Sequence, residues 1–210
     1  MHLKRNEWAV LAANLAYVVP FGMLSIGRLN YEFVIYGLVI ILVMSIIVLC
    51  QPRLEFSPPI LWGLTCWGFL HMAGGHVFVG GRRIYELILV DVFPAYSILR
   101  YDHFVHCIGF GVATLVCYHL LARHLRSPDR PPAVVCGLAV LMGMGVGALN
   151  EIIELGVVLV VPESGVGDYE NTAFDLVFNM LGAIIAMAVV RVRSRRTSDA
   201  THGTQQEDRT

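Results

Sequence analysis

The chain has 210 residues, of which 56% are hydrophobic and only 15% are charged, and its mean hydropathy is +0.65. A water-soluble core of this size needs fewer apolar residues, so the composition argues against an ordinary soluble domain and indicates a protein embedded in the lipid bilayer. The formal net charge of −1 provides no overall attraction for nucleic acid, and we expect no nucleic-acid partner.

Six apolar stretches are long enough, or nearly long enough, to cross a bilayer core of about 30 Å as helices. They cover residues 8–26, 33–50, 59–73, 104–121, 133–161 and 174–190. The third stretch is short unless the two glycines after it extend the helix, and the fifth is long enough to tilt. The pattern therefore predicts an all-α integral membrane protein with a bundle of six transmembrane helices.

Two other segments complete the predicted organisation. The longest connection, residues 74–103, contains the apolar run 84–93, which is too short to span and predicts one interfacial or re-entrant helix. After the last span the residues become basic and polar. We therefore expect a transmembrane domain over residues 1–192 and a disordered cytoplasmic tail over residues 193–210.

The distribution of basic residues indicates the orientation of the spans. An even number of spans puts both termini on the same side of the membrane. If that side is the cytoplasm, eleven of the fifteen Lys and Arg residues lie inside, and only Arg28, Arg82, Arg83 and Arg100 lie outside. The connection 162–172 carries three acids and no base, as is typical of an outer loop. Both termini are therefore predicted to be cytoplasmic.

Ionisable side chains at membrane depth cost about 2.5–3.5 kcal/mol each on insertion scales, so each one needs a partner or a function. In this chain they stand near the ends of four predicted spans, and the predicted orientation brings all four of those ends to the outer face. Two of them, in the fourth span, are four residues apart and therefore share one helical face. The candidate site residues are His71, Asp102, His106, Glu151, Glu154 and Asp175.

Four carboxylates and two imidazoles at one depth would repel one another if every acid were ionised and unpaired. Either some of the carboxylates hold protons, or a cation lies among them. Carboxylates and imidazoles are oxygen and nitrogen ligands that suit one divalent metal ion, namely Zn, Mn or Fe. Three neighbours, Asn150, Asn179 and Asp168, are expected to support these ligands through hydrogen bonds.

Simpler interpretations apply to some of these residues. Asp102 and Asp175 each stand in a first helical turn, where an acid also complements the helix dipole. The paired glutamates of the fifth span stand among Gly, Ala, Val and Leu, which favours a buried or functional role for them. The remaining histidines near span ends are expected to be interfacial, with their rings in water, and are left out of the site: His76, His103 and His119.

The glycines at 143, 145 and 147 include a Gly-x-x-x-Gly spacing, which predicts close helix packing. They do not match a dinucleotide fingerprint, because no strand precedes them. The chain also lacks a phosphate-binding loop, a His-Glu-x-x-His helix and a Gly-x-Ser-x-Gly elbow. We therefore expect no nucleotide or flavin cofactor, and whether the protein is an enzyme stays open.

Four blocks carry a resemblance to known proteins: residues 71–75 (HMAGG), 101–106 (YDHFVH), 151–154 (EIIE) and 167–175 (GDYENTAFD). In this order and spacing they resemble the YjdF-type family of bacterial inner-membrane proteins. More loosely they resemble VanZ-type membrane proteins, which are linked to glycopeptide resistance. The resemblance implies a location in the cell (inner) membrane and a fold, without an activity. Where the YjdF-type family usually has an acid this chain has Asn171, which is therefore not carried over as a ligand.

Three hypotheses follow for the function. The first is an outward-facing site that binds a divalent metal ion and activates water against a lipid-linked or envelope substrate. The second is a proton-coupled transporter in which the same acids and imidazoles exchange protons. The third is a structural polar network that sets the helix register without any ligand. In all three the lipid bilayer is the partner, and protein partners stay unknown.

Overall fold

The structure is a computed structural model that describes residues 4–90, 99–125, 131–161 and 164–207, with side chains described as far as residue 194. Within these ranges the backbone is almost entirely helical. The helices are α1 (Arg5–Gly27), α2 (Tyr31–Leu54), α3 (Pro58–His76), α4 (Tyr101–His124), α5 (Ala133–Val160) and α6 (Tyr169–Glu207). The predicted all-α architecture is confirmed.

Local sequence explains where the helices begin. The side chain of Asn30 accepts a hydrogen bond from the backbone N–H of Phe33 at 3.3 Å, which satisfies a free donor in the first turn of α2. α3 begins with Pro58 and Pro59. Proline lacks a backbone N–H, and a backbone N–H in the first turn of a helix has no acceptor within the helix, so no hydrogen bond is lost there. The chain therefore turns sharply between α1 and α2 and starts α3 at a defined residue.

Most of the helices carry apolar side chains on the outside of the bundle. Leu49 is 71% exposed and Leu159 is 75% exposed, as is expected for surfaces that face acyl chains. Among the described residues, α1, α2, α4, α5 and the part of α6 over Tyr169–Ser194 are long and apolar enough to cross a membrane. α3 is not among these five, so the sixth span stays a prediction.

The segment after α3 differs from its prediction. It forms a small antiparallel hairpin, β1 (Phe78–Val79) and β2 (Arg82–Arg83), followed by a 3₁₀ turn at Ile84–Glu86. The predicted interfacial or re-entrant helix over 84–93 is therefore wrong over residues 84–90, and residues 91–93 lie outside the described residues. The physical reason is a long-range anchor, because the ring of Tyr85 packs on the bare backbone of Gly74 in α3.

α6 is longer than its apolar part, since its backbone stays helical to Glu207. Disorder was expected from residue 193, and the described backbone of that segment is helix, while residues 208–210 lie outside the described residues. The division into a membrane domain over 1–192 and a tail over 193–210 stays a prediction.

α4 is the central helix of the second half of the chain, and it packs against α3, α5 and most extensively α6. Glycines make this packing close. A Cβ at Gly182 would overlap the backbone carbonyl of Cys107 in α4. Gly143 and Gly147 lie against the side chains of Thr114 and Asn179, as expected for the Gly-x-x-x-Gly spacing.

The ends of α3 and α5 and the starts of α4 and α6 lie together, and we call this end of the bundle the site end. The turn between α1 and α2 lies there as well, because Ser25 Oγ is 2.7 Å from His76 Nε2 at the end of α3. Polar residues near any of these termini are therefore brought to the same level of the bundle.

Candidate metal centre

His106 lies in the middle of a group of four carboxylates supplied by α4, α5 and α6. Its Nε2 atom is 3.6 Å from Asp102 Oδ1, 3.9 Å from Glu154 Oε1 and 3.9 Å from Asp175 Oδ1. Its Nδ1 atom is 3.7 Å from Glu151 Oε1. We call these residues the His106 cluster: Asp102, His106, Glu151, Glu154 and Asp175.

The spacing of donor atoms suits a metal ion. One ligand atom from each of Asp102, His106 and Asp175 lies within 4.8 Å of the others, and the same holds for His106, Glu151 and Glu154. A zinc ion lies about 2.0–2.2 Å from its nitrogen and oxygen ligands. A small inward movement of these side chains would bring all three ligand atoms of either group to that distance from one central ion. The structure thus brings together five of the six residues predicted from the sequence.

The acids of the cluster are buried without enough hydrogen-bond donors. The side chain of Asp175 is 0% exposed and that of Glu151 is 9% exposed. Within the described residues, Asp175 Oδ1 and both carboxylate oxygens of Glu151 accept no hydrogen bond. A buried carboxylate without a partner is unstable as an anion. The cluster therefore needs protons or a cation close to these oxygens.

Amide side chains orient the cluster from its edges. Asn179 Oδ1 lies 3.1 Å from His106 Nδ1 and accepts its hydrogen, so the neutral imidazole keeps its lone pair on Nε2, facing three carboxylates. Asn150 Nδ2 donates to Glu154 Oε1 at 2.7 Å. Asn150 and Asn179 thus contact the residues they were expected to support.

Asn171 is a supporting residue that the sequence analysis set aside. Its Nδ2 donates to Asp175 Oδ2 at 2.7 Å and to Asp102 Oδ2 at 3.2 Å, which bridges α4 and α6. Asp168 Oδ1 in turn accepts the backbone N–H of Asn171 at 3.0 Å. Asp168 therefore lies outside the His106 cluster and fixes the position of Asn171, which in turn donates hydrogen bonds to Asp102 and Asp175.

His103 was expected to be interfacial, and that expectation is wrong. Its ring is 1% exposed, stacks on Phe178 with centroids 4.9 Å apart, and places Nε2 4.0 Å from Asp175 Oδ1. Its position three residues before His106 on the same helix was the available signal. His76 is also buried, bonded to Ser25 and the Met72 carbonyl, whereas His119 is half-buried and bonds the Leu54 carbonyl.

His71 lies beside the His106 cluster, but it belongs to neither of the two groups of potential metal ligands described above. The Tyr85 hydroxyl is 2.6 Å from His71 Nδ1. Burial, together with the negative charges of Asp102 and Glu154, raises the pKa of Tyr85 well above its ordinary value. The hydroxyl therefore stays protonated and donates a hydrogen bond to Nδ1. The neutral imidazole of His71 then carries its own hydrogen on Nε2.

A cavity of about 80 Å³ connects these groups. Asp102, Glu154 and His71 line its inner part, and the rings of Phe33 and Tyr85 form an apolar wall. This volume holds several water molecules, since a single water requires about 10–15 Å³ measured in the same way. Of the His106 cluster, Asp102 and Glu154 reach this cavity.

One of three comparisons with known proteins gave a match. Residues 9–196 match the model of a family described as a predicted membrane protein, DUF2238. The match is compatible with the resemblance to YjdF-type proteins, and it does not show the VanZ likeness. No curated protein and no solved structure gave a significant match. Since the family model covers most of the sequence, the chain belongs to the DUF2238 family of predicted membrane proteins.

Proposed function

We propose that this protein binds one divalent metal ion, Zn, Mn or Fe, in the His106 cluster, and that the ion activates water against a lipid-linked or envelope substrate. One observation carries the proposal. Buried carboxylate oxygens of Glu151 and Asp175 have no hydrogen-bond partner among the described residues, although they lie around a single imidazole. A divalent cation supplies the missing positive charge.

The ligands that suit the ion best are His106 and carboxylate oxygens of Asp102 and Asp175, because one ligand atom from each lies within 4.8 Å of the others. Glu154 Oε1, 3.9 Å from His106 Nε2, is a fourth candidate. The metal supplies a Lewis acid and lowers the pKa of a bound water. Asn171 and Asn179 hold the ligands in place, and the Glu151 carboxylate lies 3.7 Å from His106 Nδ1.

The membrane topology that accompanies this proposal has six spans, with α3 as the third and both termini in the cytoplasm. α3 lies against α1 and α4 over its length, which supports a span even though its own composition is less apolar. The excess of basic residues on the side away from the cluster supports the orientation. The site end then faces outward from the inner membrane.

The test is the metal content of detergent-purified protein, measured by mass spectrometry of the elements after dialysis. We expect about one equivalent in the wild type, and a fall of about tenfold or more in His106→Gln, Asp102→Asn and Glu151→Gln, because a lost ligand or orienting group costs about 10–100-fold in affinity. The matched control is His119→Gln, on the same helix but bonded to the Leu54 carbonyl. Equal, substoichiometric metal in all five proteins would refute the proposal.

A further inference from the structure

A second and larger cavity lies at the site end, and we call it the outer chamber. Its volume is about 510 Å³. It is bounded by the turn between α1 and α2, the end of α3, the β1–β2 hairpin and the end of α5. Arg28, Arg83 and His76 contribute to its walls. The chamber is therefore placed where a headgroup lies when α1 and α2 cross a bilayer.

Aromatic rings on one hairpin and on α2 hold the two guanidinium groups. Arg28 Cζ lies 6.0 Å from the ring centroid of Phe78, and Arg83 Cζ lies 6.0 Å from that of Phe33. Phe78 and Arg83 are paired across the hairpin, so the hairpin carries Arg83 and contacts Arg28 through Phe78. Such stacking orients a guanidinium while leaving its N–H groups free to donate.

The charges of the outer chamber do not cancel. Within the described residues, no hydrogen bond or ion pair engages the Arg28 guanidinium, and Glu32 is the one acid in the chamber wall. Glu32 Oε2 already accepts the Gly165 backbone N–H at 2.8 Å and lies 3.5 Å from Arg83 Nη1. The chamber thus offers several unused donors to an anion.

The outer chamber and the cavity of the His106 cluster share a wall. Glu32 and Arg83 line both, and Gly165 lies so close to this pair that a Cβ there would meet Arg83 and Glu32. An anion held between Arg28 and Arg83 would therefore lie at the entrance to the cluster. Leu29, Tyr31 and Val161 also line the outer chamber, and the side chains of Leu29 and Tyr31 are exposed.

We infer that the outer chamber binds the phosphate group of a lipid headgroup, so that, granted the proposed function, the substrate class is a phosphate-bearing lipid. Guanidinium groups pair with phosphate through two parallel hydrogen bonds, and they retain their charge at any physiological pH. An outer chamber that has exposed apolar side chains and adjoins the cavity of the His106 cluster suits a molecule with an anionic headgroup and acyl chains. Free phosphate offers the same chemistry without the chains.

The test measures binding to the full-length protein in detergent after removal of metal with a chelator, using three probes. Dioleoylphosphatidylglycerol carries phosphate and acyl chains, dioleoylglycerol carries the same chains alone, and inorganic phosphate carries no chain. We expect the phospholipid to bind about tenfold or more tightly than dioleoylglycerol, since charge-assisted hydrogen bonds contribute on that scale. Native mass spectrometry of the lipid-bound species provides the readout.

Arg28→Gln should lower phospholipid affinity about tenfold, because it removes a free guanidinium and leaves its neighbours intact. The control is Arg82→Gln, which alters the adjacent residue of the hairpin, one that is exposed and does not line the chamber. Equal affinities in the wild type and Arg28→Gln, or equal binding of the two lipids, would overturn the inference. Displacement of the lipid by millimolar phosphate would support a phosphate site that also takes the free anion, and a lack of displacement would assign the lipid headgroup.

Failure of this inference is separable from failure of the metal proposal. His106→Gln should keep the phospholipid affinity of the wild type, because His106 lies outside the outer chamber. Lipid binding by a protein that takes up no metal would refute the metal site and support the chamber. Metal binding together with equal affinity for both lipids would support the metal site and refute lipid binding in the outer chamber.

Discussion

The bundle contains two buried polar clusters that differ in how completely they are satisfied. Between α1 and α3, Asn14 Nδ2 donates to the Val10 carbonyl and to Thr65 Oγ1, both at 2.8 Å, and Asn14 Oδ1 accepts from the Tyr17 hydroxyl at 2.8 Å. Thr65 Oγ1 donates to the Leu61 carbonyl at 3.0 Å. All of these groups are neutral and each has a partner. In the His106 cluster, by contrast, carboxylate oxygens of Glu151 and Asp175 accept no hydrogen bond from the described residues.

The difference separates two uses of polar residues in an apolar bundle. A closed, neutral network fixes the register of two helices and has no need of a ligand. An open, charged cluster is costly unless something binds to it, because desolvating a carboxylate costs more than neighbouring dipoles return. Metal removal, overpacking between helices and the loss of one charge should therefore affect the His106 cluster differently from the closed network of Asn14, Tyr17 and Thr65, which we call the Asn14 network. The expected effects are given from the largest to the smallest.

Metal removal should produce the largest effect. At a metal concentration of about 1,000 times Kd, binding to the folded state alone stabilises a protein by about 4 kcal/mol. A chelator should therefore lower the melting temperature of the wild type by several degrees, measured by tryptophan fluorescence in detergent. His106→Gln should melt at the same temperature with and without chelator. A wild-type melting curve that ignores the chelator would contradict the prediction.

The next effect concerns the distance between α4 and α6, on which the His106 cluster depends and the Asn14 network does not. Gly182→Ala would drive a methyl group into the Cys107 backbone carbonyl, and we expect a loss of about 1–3 kcal/mol, typical of overpacking, together with weaker metal binding. Gly145→Ala is the control, because nothing lies within 4 Å of its Cβ position. Equal thermal stability of both variants would show that the helices are not in close contact.

Part of this architecture was predictable because it depends on neighbours in the sequence. Apolar runs of helical length predict the helices, and the four-residue spacing of Asp102 and His106 places both on one face. Antiparallel succession of the helices then brings Glu151, Glu154 and Asp175 to the same level. These inferences do not require knowledge of which distant residues contact one another.

The rest depends on contacts between distant residues. The burial of His103 follows from its packing on Phe178 of α6, and Asn171 bridges Asp102 and Asp175 only once α4 and α6 have met. A 3₁₀ turn stands where the predicted helix was to begin, and there Tyr85 bonds to His71, fourteen residues earlier. Helical periodicity places His103 on the same helix face as His106, but it does not identify the distant partners of His103, Asn171 and Tyr85.

The Asn14 network should respond more modestly. Asn14→Leu leaves the Tyr17 hydroxyl without its acceptor and removes a donor to Thr65 Oγ1, and we expect a loss of about 1–2 kcal/mol, the range of interhelical hydrogen bonds in membranes. The measurement is thermal or denaturant unfolding in detergent. Metal content should stay at the wild-type level, since the network lies in another part of the bundle. A fall in bound metal would show that the two clusters are coupled.

The smallest effect should have the opposite sign. In the presence of chelator, Glu151→Gln should stabilise the protein by about 1 kcal/mol, because it preserves the shape of a buried side chain while removing a charge whose oxygens accept no hydrogen bond shorter than 3.5 Å among the described residues. Glu32→Gln is the matched control, since Glu32 is equally buried but accepts hydrogen bonds from Gly165 and Arg83. Its neutralisation should destabilise the protein. Unfolding measured side by side tests the distinction directly: if Glu151→Gln also destabilises the metal-free protein, the carboxylate has a protein partner, and the case for a missing cation fails with it.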